Sequence, residues 1–354
     1  MKASRQTFVR SLLELKSHLA YIETEKRIFA ATLGLSEKTP IEAELATLAQ
    51  QLGTGSIKKR FDYNSVIVAL YGFFEQFIEG LLKGYLRRLA ERSIKYADLP
   101  EAVRGNHVEV TAILLKGSEL QKFRGVVTPA QLTANLHSCF TDKSPFLLNV
   151  EAFAHHTSNF RVGSVDNAFN KIGVQNISQR AVQLPSFQNY LSQRVPSRAG
   201  LNIDNGCLFE IDDLAERRNA VAHGSELELL SNQILLDYVT CVEAYASSLY
   251  EVVFSEALAF EAKLHGLKLG NTLVVHNHSI VCIKVSTPKV SIKKGDVLVT
   301  LLESGSLAAI GGEIYSIGLD NEFIEAITCL APIDLGFKVD FRAKEGQLFQ
   351  LLTR

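Results

Sequence analysis

Residues 217–224 read Arg-Arg-Asn-Ala-Val-Ala-His-Gly, and within them Arg218 and His223 set a permanent cation five positions from a near-neutral base. An arginine guanidinium offers a planar fork of donors that fits a phosphate. A histidine, with an ordinary pKa of about 6.5, takes up a proton and returns it near neutral pH. Together they supply what RNA strand cleavage needs without a metal. A base deprotonates the ribose 2′-hydroxyl, and a cation stabilises the charge gathering on the phosphorane. Asn219 adds a neutral donor beside the arginine, and Arg217 is a candidate contact for a neighbouring phosphate. Such a pair also occurs by chance on long helices, so spacing alone is a weak signal.

The segment that must position these residues is built as a helix. Asp212 or Asp213 stands where a cap belongs, Leu214, Ala215, Val221 and Ala222 follow, and Gly224 stands where helices usually end. Positions five apart on an ideal helix point about 140° away from each other. Arg218 and His223 are therefore expected to converge only if the last turn frays at Gly224.

The string RRNAVAHG resembles the Arg-x4–6-His signature of the HEPN superfamily, and the chain resembles its RiboL-PSP-type branch more specifically. The resemblance extends through SVIVALYGFFEQFIEGLL and NVEAFAHHTSNFRVGSV and covers roughly residues 1 to 255. It implies an all-helical bundle with the motif on its penultimate helix, acting as a metal-independent endoribonuclease or descended from one. It also implies a homodimer with two motifs facing one RNA cleft, often as a toxin or effector in prokaryotic antiviral defence. Arg218 and His223 match the two signature positions, and Asn219 matches the polar residue that often follows the arginine. Members paired with a nucleotidyltransferase antitoxin often carry Tyr two residues after the histidine, where this chain has Ser225.

A second segment, His155-His156-Thr157-Ser158-Asn159-Phe160-Arg161, is also rich in donors. Asn159 and Arg161 are candidates to line the same cleft, although a turn-forming Asn and an ion-paired Arg fit the pattern as well. His276, His278 and Cys282 would share one face of a straight strand and could then approach a zinc ion, but no fourth ligand accompanies them. The site reading therefore includes no metal and no cofactor. No Ser-His-Asp elbow, dinucleotide-binding glycine pattern or catalytic carboxylate pair is present, which leaves hydrolase and dehydrogenase readings without residues.

Across 354 residues, Lys and Arg number 37 against 38 Asp and Glu, so the net charge is -1. That balance argues against broad electrostatic coating of nucleic acid, though not against a local basic cleft. The five cysteines are scattered without CxxC spacing, as in a reducing, cytoplasmic setting. The longest apolar run, Val66 to Phe74, is short for a membrane span.

The spacing of Phe8, Leu12, Leu15, Leu19 and Ile22 predicts a first helix. Thr39-Pro40-Ile41-Glu42 opens a second with a capping box, and Gly53-Thr54-Gly55-Ser56 reads as a linker. The strongest helix is expected over about 65–97, with Val66, Leu70, Phe73, Phe77, Leu81, Tyr85 and Leu89 as its stripe. Thr128-Pro129-Ala130-Gln131 is a second capping box, and a last long helix is expected over about 232–264. Residues 140–210 read as mostly irregular. Beyond residue 266, short β-branched segments divided by turns imply a small antiparallel barrel or sandwich. The fold class is thus α+β: a HEPN-like helical domain over 1–264, then a β domain over 265–354 that could sense a ligand or recruit a partner.

Overall fold

The computed structural model describes residues 1–32, 39–52, 56–117, 125–141, 145–194, 206–225, 228–320 and 322–354. Among the described residues, the helices lie before residue 266 and the strands after it. The helices are α1 (Lys2–Thr32), α2 (Pro40–Leu52), α3 (Ser56–Arg92), α4 (Glu101–Gly117), α5 (Pro129–Phe140) and α6 (Val150–Ala154). They continue with α7 (Val162–Asn170), α8 (Ile177–Val182), α9 (Pro185–Arg194), α10 (Phe209–His223) and α11 (Asn232–His265). The strands are β1 (Leu267–His276), β2 (Ile280–Val285), β3 (Val290–Lys293), β4 (Val297–Leu301), β5 (Ala309–Leu319), β6 (Glu322–Ile324), β7 (Ala326–Cys329), β8 (Ile333–Val339) and β9 (Leu348–Leu352).

Two compact units divide these residues without following chain order. One takes residues 1–82, 154–169 and 181–250, and the other takes 83–153, 170–180 and 251–354. In the first unit the α1 stripe of Phe8, Leu12, Leu15, Leu19 and Ile22 is buried. So are Val66, Leu70, Phe77 and Leu81 of α3, with the Phe8 and Phe77 rings 4.7 Å apart. Both capping boxes form: Thr39 and Glu42 exchange backbone-to-side-chain bonds, as do Thr128 and Gln131. α3 begins nine residues earlier than its apolar stripe implies. Its polar first turns are held instead by Lys58, which pairs with Glu25 at 2.5 Å and Asp62 at 2.7 Å. The stretch from Ile57 to Arg92 is long and apolar enough by composition to cross a membrane, and half of its most apolar window is buried within the protein. The linker expected at residues 53–55 lies outside the described residues.

The stretch expected to be irregular, 140–210, instead contains α6 to α9. Each of these helices has ten residues or fewer, too short for an apolar period to stand out. They are nonetheless core elements, because Val165, Phe169, Ile177 and Phe187 are buried.

The second unit contains a closed barrel. Strands run in the order β4-β9-β1-β2-β8-β5, and β5 pairs back onto β4, so six antiparallel strands form a ring. β6 extends from β5, and β3 pairs with β7 as a separate ribbon. Closure needs corners, and the two longest strands provide them. β1 pairs first with β9 and then with β2, and β5 first with β4 and then with β8, with shifts of register along both strands. The interior is filled by Leu269, Val281, Ile283, Ile314, Ile317, Phe337 and Phe349, which leaves it a packed core. Leu258, Ala259 and Ala262 of α11 pack against Val297, Val299 and Leu352 on its outside.

At the β1 bulge, Gly270 has φ +152°, and a Cβ there would meet the Lys284 carbonyl oxygen at 2.4 Å. Gly270→Ala is expected to destabilise the protein by about 1–3 kcal/mol, through strain at a position other residues avoid. Urea unfolding measures this, and an unchanged midpoint would show that the bulge accepts a side chain.

Candidate functional site

The motif lies on α10, and both of its lateral faces are tied down within the first unit. The helix starts at Phe209 with Leu208 as N-cap and no side-chain cap. Asp212 and Asp213, expected to cap it, fall inside its first turns, and neighbouring elements take their carboxylates. Asp212 Oδ1 accepts the backbone N–H of Val162 at 2.8 Å and so caps α7 instead. Glu216 accepts from the Arg161 guanidinium at 2.7 Å. Asn159 Nδ2 donates to Asn219 Oδ1 at 2.6 Å and to the Ala215 carbonyl at 3.3 Å. Positions 212, 215, 216 and 219 recur in steps of three and four, so a single face of α10 is fastened to residues 159–162. His223, four residues past Asn219, continues that face and is exposed.

The opposite face is held by Arg217. Its Nε meets Asp213 Oδ2 at 2.5 Å, and its Nη1 donates to the Tyr63 hydroxyl at 2.9 Å and the Glu228 carbonyl at 3.0 Å. The Tyr238 hydroxyl donates to the same Asp213 oxygen. These donors of Arg217 serve the fold, although the sequence offers them to a phosphate. Below them, Arg60, Tyr63 and Asn64 of α3 face Ala220, Val221 and Gly224 across a cavity of about 110 Å³.

Gly224 ends the helix at φ 68°, as its type implies. Ser225 N–H reaches back to the Ala220 carbonyl at 2.9 Å, which seals the last turn. His223 therefore stays helical, and the fraying needed to bring it to Arg218 does not occur. No hydrogen bond joins the two among the described residues. Arg218 instead lies over the Tyr71 ring, 5.5 Å from its centroid, with Nη1 3.4 Å from Asn219 Oδ1.

Tyr71 leads to a group that the motif search passes over. Its hydroxyl accepts the Phe160 N–H at 2.8 Å and faces Glu75 at 3.5 Å. Burial first, then the Glu75 carboxylate, push this phenol well above its ordinary pKa, so it stays neutral. The Phe160 ring packs 4.3 Å from the His156 ring. His156 Nε2 lies 3.0 Å from Glu79 and 3.6 Å from Glu75, and its Nδ1 lies 2.9 Å from the Ser158 carbonyl. Both ring nitrogens thus face groups that only accept, an arrangement the imidazolium satisfies and the neutral ring does not. Burial opposes the charge, but the Glu79 and Ser158 hydrogen bonds and the Glu75 charge outweigh it and raise the pKa. The legible signal was the spacing of Tyr71, Glu75 and Glu79, a polar stripe at steps of four on an otherwise apolar helix.

The remaining candidates separate. β1 ends at His276, and Asn277 and His278 turn the chain with φ 49° and 56°, so the His276, His278 and Cys282 trio does not lie on one straight strand. Cys282 sits on β2 opposite Val274. Among the described residues no three His, Cys, Asp or Glu side chains are grouped to hold a metal ion. Elsewhere, Lys83 and Arg87 share Glu151, and Arg88 and Arg92 share Glu261.

A family model described as RiboL-PSP-HEPN matches residues 36–254, more than half of the chain and all of α10. No curated protein and no solved structure matches the chain.

The His156 brace makes stability depend on pH. Its pKa is raised in the folded state, so its contribution is fully present below about pH 6.5 and is lost as pH rises through the folded value. His156→Gln is therefore expected to lower the melting temperature at pH 6 and to matter progressively less toward alkaline pH. A difference that does not vary with pH would contradict the ion-paired assignment.

Proposed function

The chain belongs to the RiboL-PSP-HEPN family, and from that membership we propose that it is a metal-independent endoribonuclease with its site on α10. The family suggests a ribonuclease-type or RNA-binding function, and the residues present support the catalytic form. The observation that carries the reading is the face of α10 that holds half-buried Asn219 and exposed His223, flanked by Arg218 and braced by Asn159 and Arg161. His223 takes the 2′-hydroxyl proton, the 2′-oxygen attacks the adjacent phosphorus as the bond to the 5′-oxygen breaks, and the leaving 5′-oxygen takes a proton from water while His223 returns its own to solvent. The products are a 2′,3′-cyclic phosphate and a 5′-hydroxyl. Arg218 holds the scissile phosphate and offsets its developing charge, and Asn219 adds a neutral donor.

Within one chain Arg218 and His223 point to different sides of α10. A homodimer whose two motifs face one RNA would supply both groups to one phosphate, and the reading therefore includes a second copy. Antiviral effector or toxin activity in the cytoplasm, with or without an antitoxin partner, is the setting that family likeness suggests. One observation favours a second reading, a non-catalytic RNA- or partner-binding module with the barrel as recruiter or sensor. Arg217 donates to Asp213, Tyr63 and the Glu228 carbonyl, and Lys58 pairs with Glu25 and Asp62, so these two cations of the first unit already have internal partners.

His223→Ala and Arg218→Ala are each expected to lower cleavage of total cellular RNA in EDTA by at least about 10²-fold while melting like the wild type. Expression of the wild type is expected to arrest growth, and that of His223→Ala is not. Undiminished cleavage by a folded His223→Ala protein would remove the catalytic assignment.

A further inference from the structure

The Asn219 amide has its orientation set by two neighbours that can each play only one role. The Ala215 carbonyl can only accept, so the Asn159 group 3.3 Å from it is the Nδ2 donor. That same Nδ2 lies 2.6 Å from Asn219, so the Asn219 atom it meets is Oδ1. Arg218 can only donate, and its Nη1 at 3.4 Å selects the same oxygen independently. Asn219 Oδ1 is thereby turned toward Asn159 and Arg218. Its Nδ2 carries two donors with no acceptor among the described residues, on the face of α10 shared with exposed His223.

We infer that Asn159 is a positioning residue that locks the Asn219 amide with its NH2 outward, so that the site presents donors to an acceptor-rich anion, a phosphodiester. This rests on the ribonuclease reading and assigns Asn159 a different task from the direct substrate contact suggested by sequence. An amide free to rotate would present its oxygen to the phosphate about as readily as its nitrogen, and an oxygen there repels the anion. Holding the donor outward before substrate arrives is what makes such a group effective as charge develops. The lock also explains why the Asn159 side chain reaches to α10 and does not cap its own turn, since Ser164 accepts the Arg161 N–H at 2.6 Å at the start of α7.

The test is a double-mutant cycle on full-length protein, read as RNA cleavage in EDTA. Asn159→Asp replaces the donor with an acceptor and draws the Asn219 NH2 inward. It is expected to lower kcat by about 10²-fold with little change in KM, as loss of a transition-state donor does. In an Asn219→Ala background the same change is expected to add nothing, because the amide it orients is gone. Asn159→Ala carries the same cycle should the aspartate variant melt early. Equal losses in both backgrounds, or no loss in either, would overturn the inference and leave the ribonuclease reading intact. If the wild type binds RNA without cutting it, the catalytic reading fails and the cycle is scored on RNA affinity, with the same non-additivity expected. A wild type that neither cuts nor binds RNA overturns both.

Discussion

The site depends on one constraint: α10 is fastened along a single face to residues 159–162. Asp212 caps α7, Glu216 pairs with Arg161, and Asn219 and the Ala215 carbonyl share Asn159. Each bond is modest, on the order of 1 kcal/mol net, but together they fix the rotation of the helix about its axis. That rotation decides which motif residues meet solvent. A turn of one residue, about 100°, would redirect His223 and break all four contacts. Arg217 secures the same rotation from the other side through Asp213, Tyr63 and the Glu228 carbonyl.

The brace continues away from the motif. Tyr71 stacks under Arg218 and holds the Phe160 backbone, while His156 joins the same segment to Glu75 and Glu79. The two arginines of the motif therefore do unlike work despite being adjacent. Arg217 gives its Nε and Nη1 to internal partners, and Arg218 lies over an aromatic ring with Nη1 beside Asn219 as its one hydrogen bond among the described residues. In the proposed reading, a guanidinium oriented this way before a phosphate arrives would bind it at lower entropic cost.

Much of the fold was legible because its long elements carry clear periods. The apolar stripes of α1 and α3, the two capping boxes and the β-branched segments after residue 266 each appear as elements. The chain's family and the glycine stop of α10 were legible as well. What sequence could not give were the long-range partners. Asp212 looks like a cap for the helix that contains it, and only the packing of α7 beside α10 shows that it caps another. Helices of ten residues or fewer between 150 and 194 escape period analysis, and their core role comes from contacts distant in sequence. The zinc-like trio failed for a local reason, since Asn277 and His278 form a turn where a continuous strand was imagined.

The central claim is that this face of α10 moves a proton and stabilises a phosphorane without a metal. Mass spectrometry of a short defined RNA after incubation with the wild-type protein in EDTA tests it most directly. The account predicts fragments ending in a 2′,3′-cyclic phosphate and beginning with a 5′-hydroxyl. Fragments with a 3′-hydroxyl and a 5′-phosphate, or cleavage that EDTA abolishes, would contradict it.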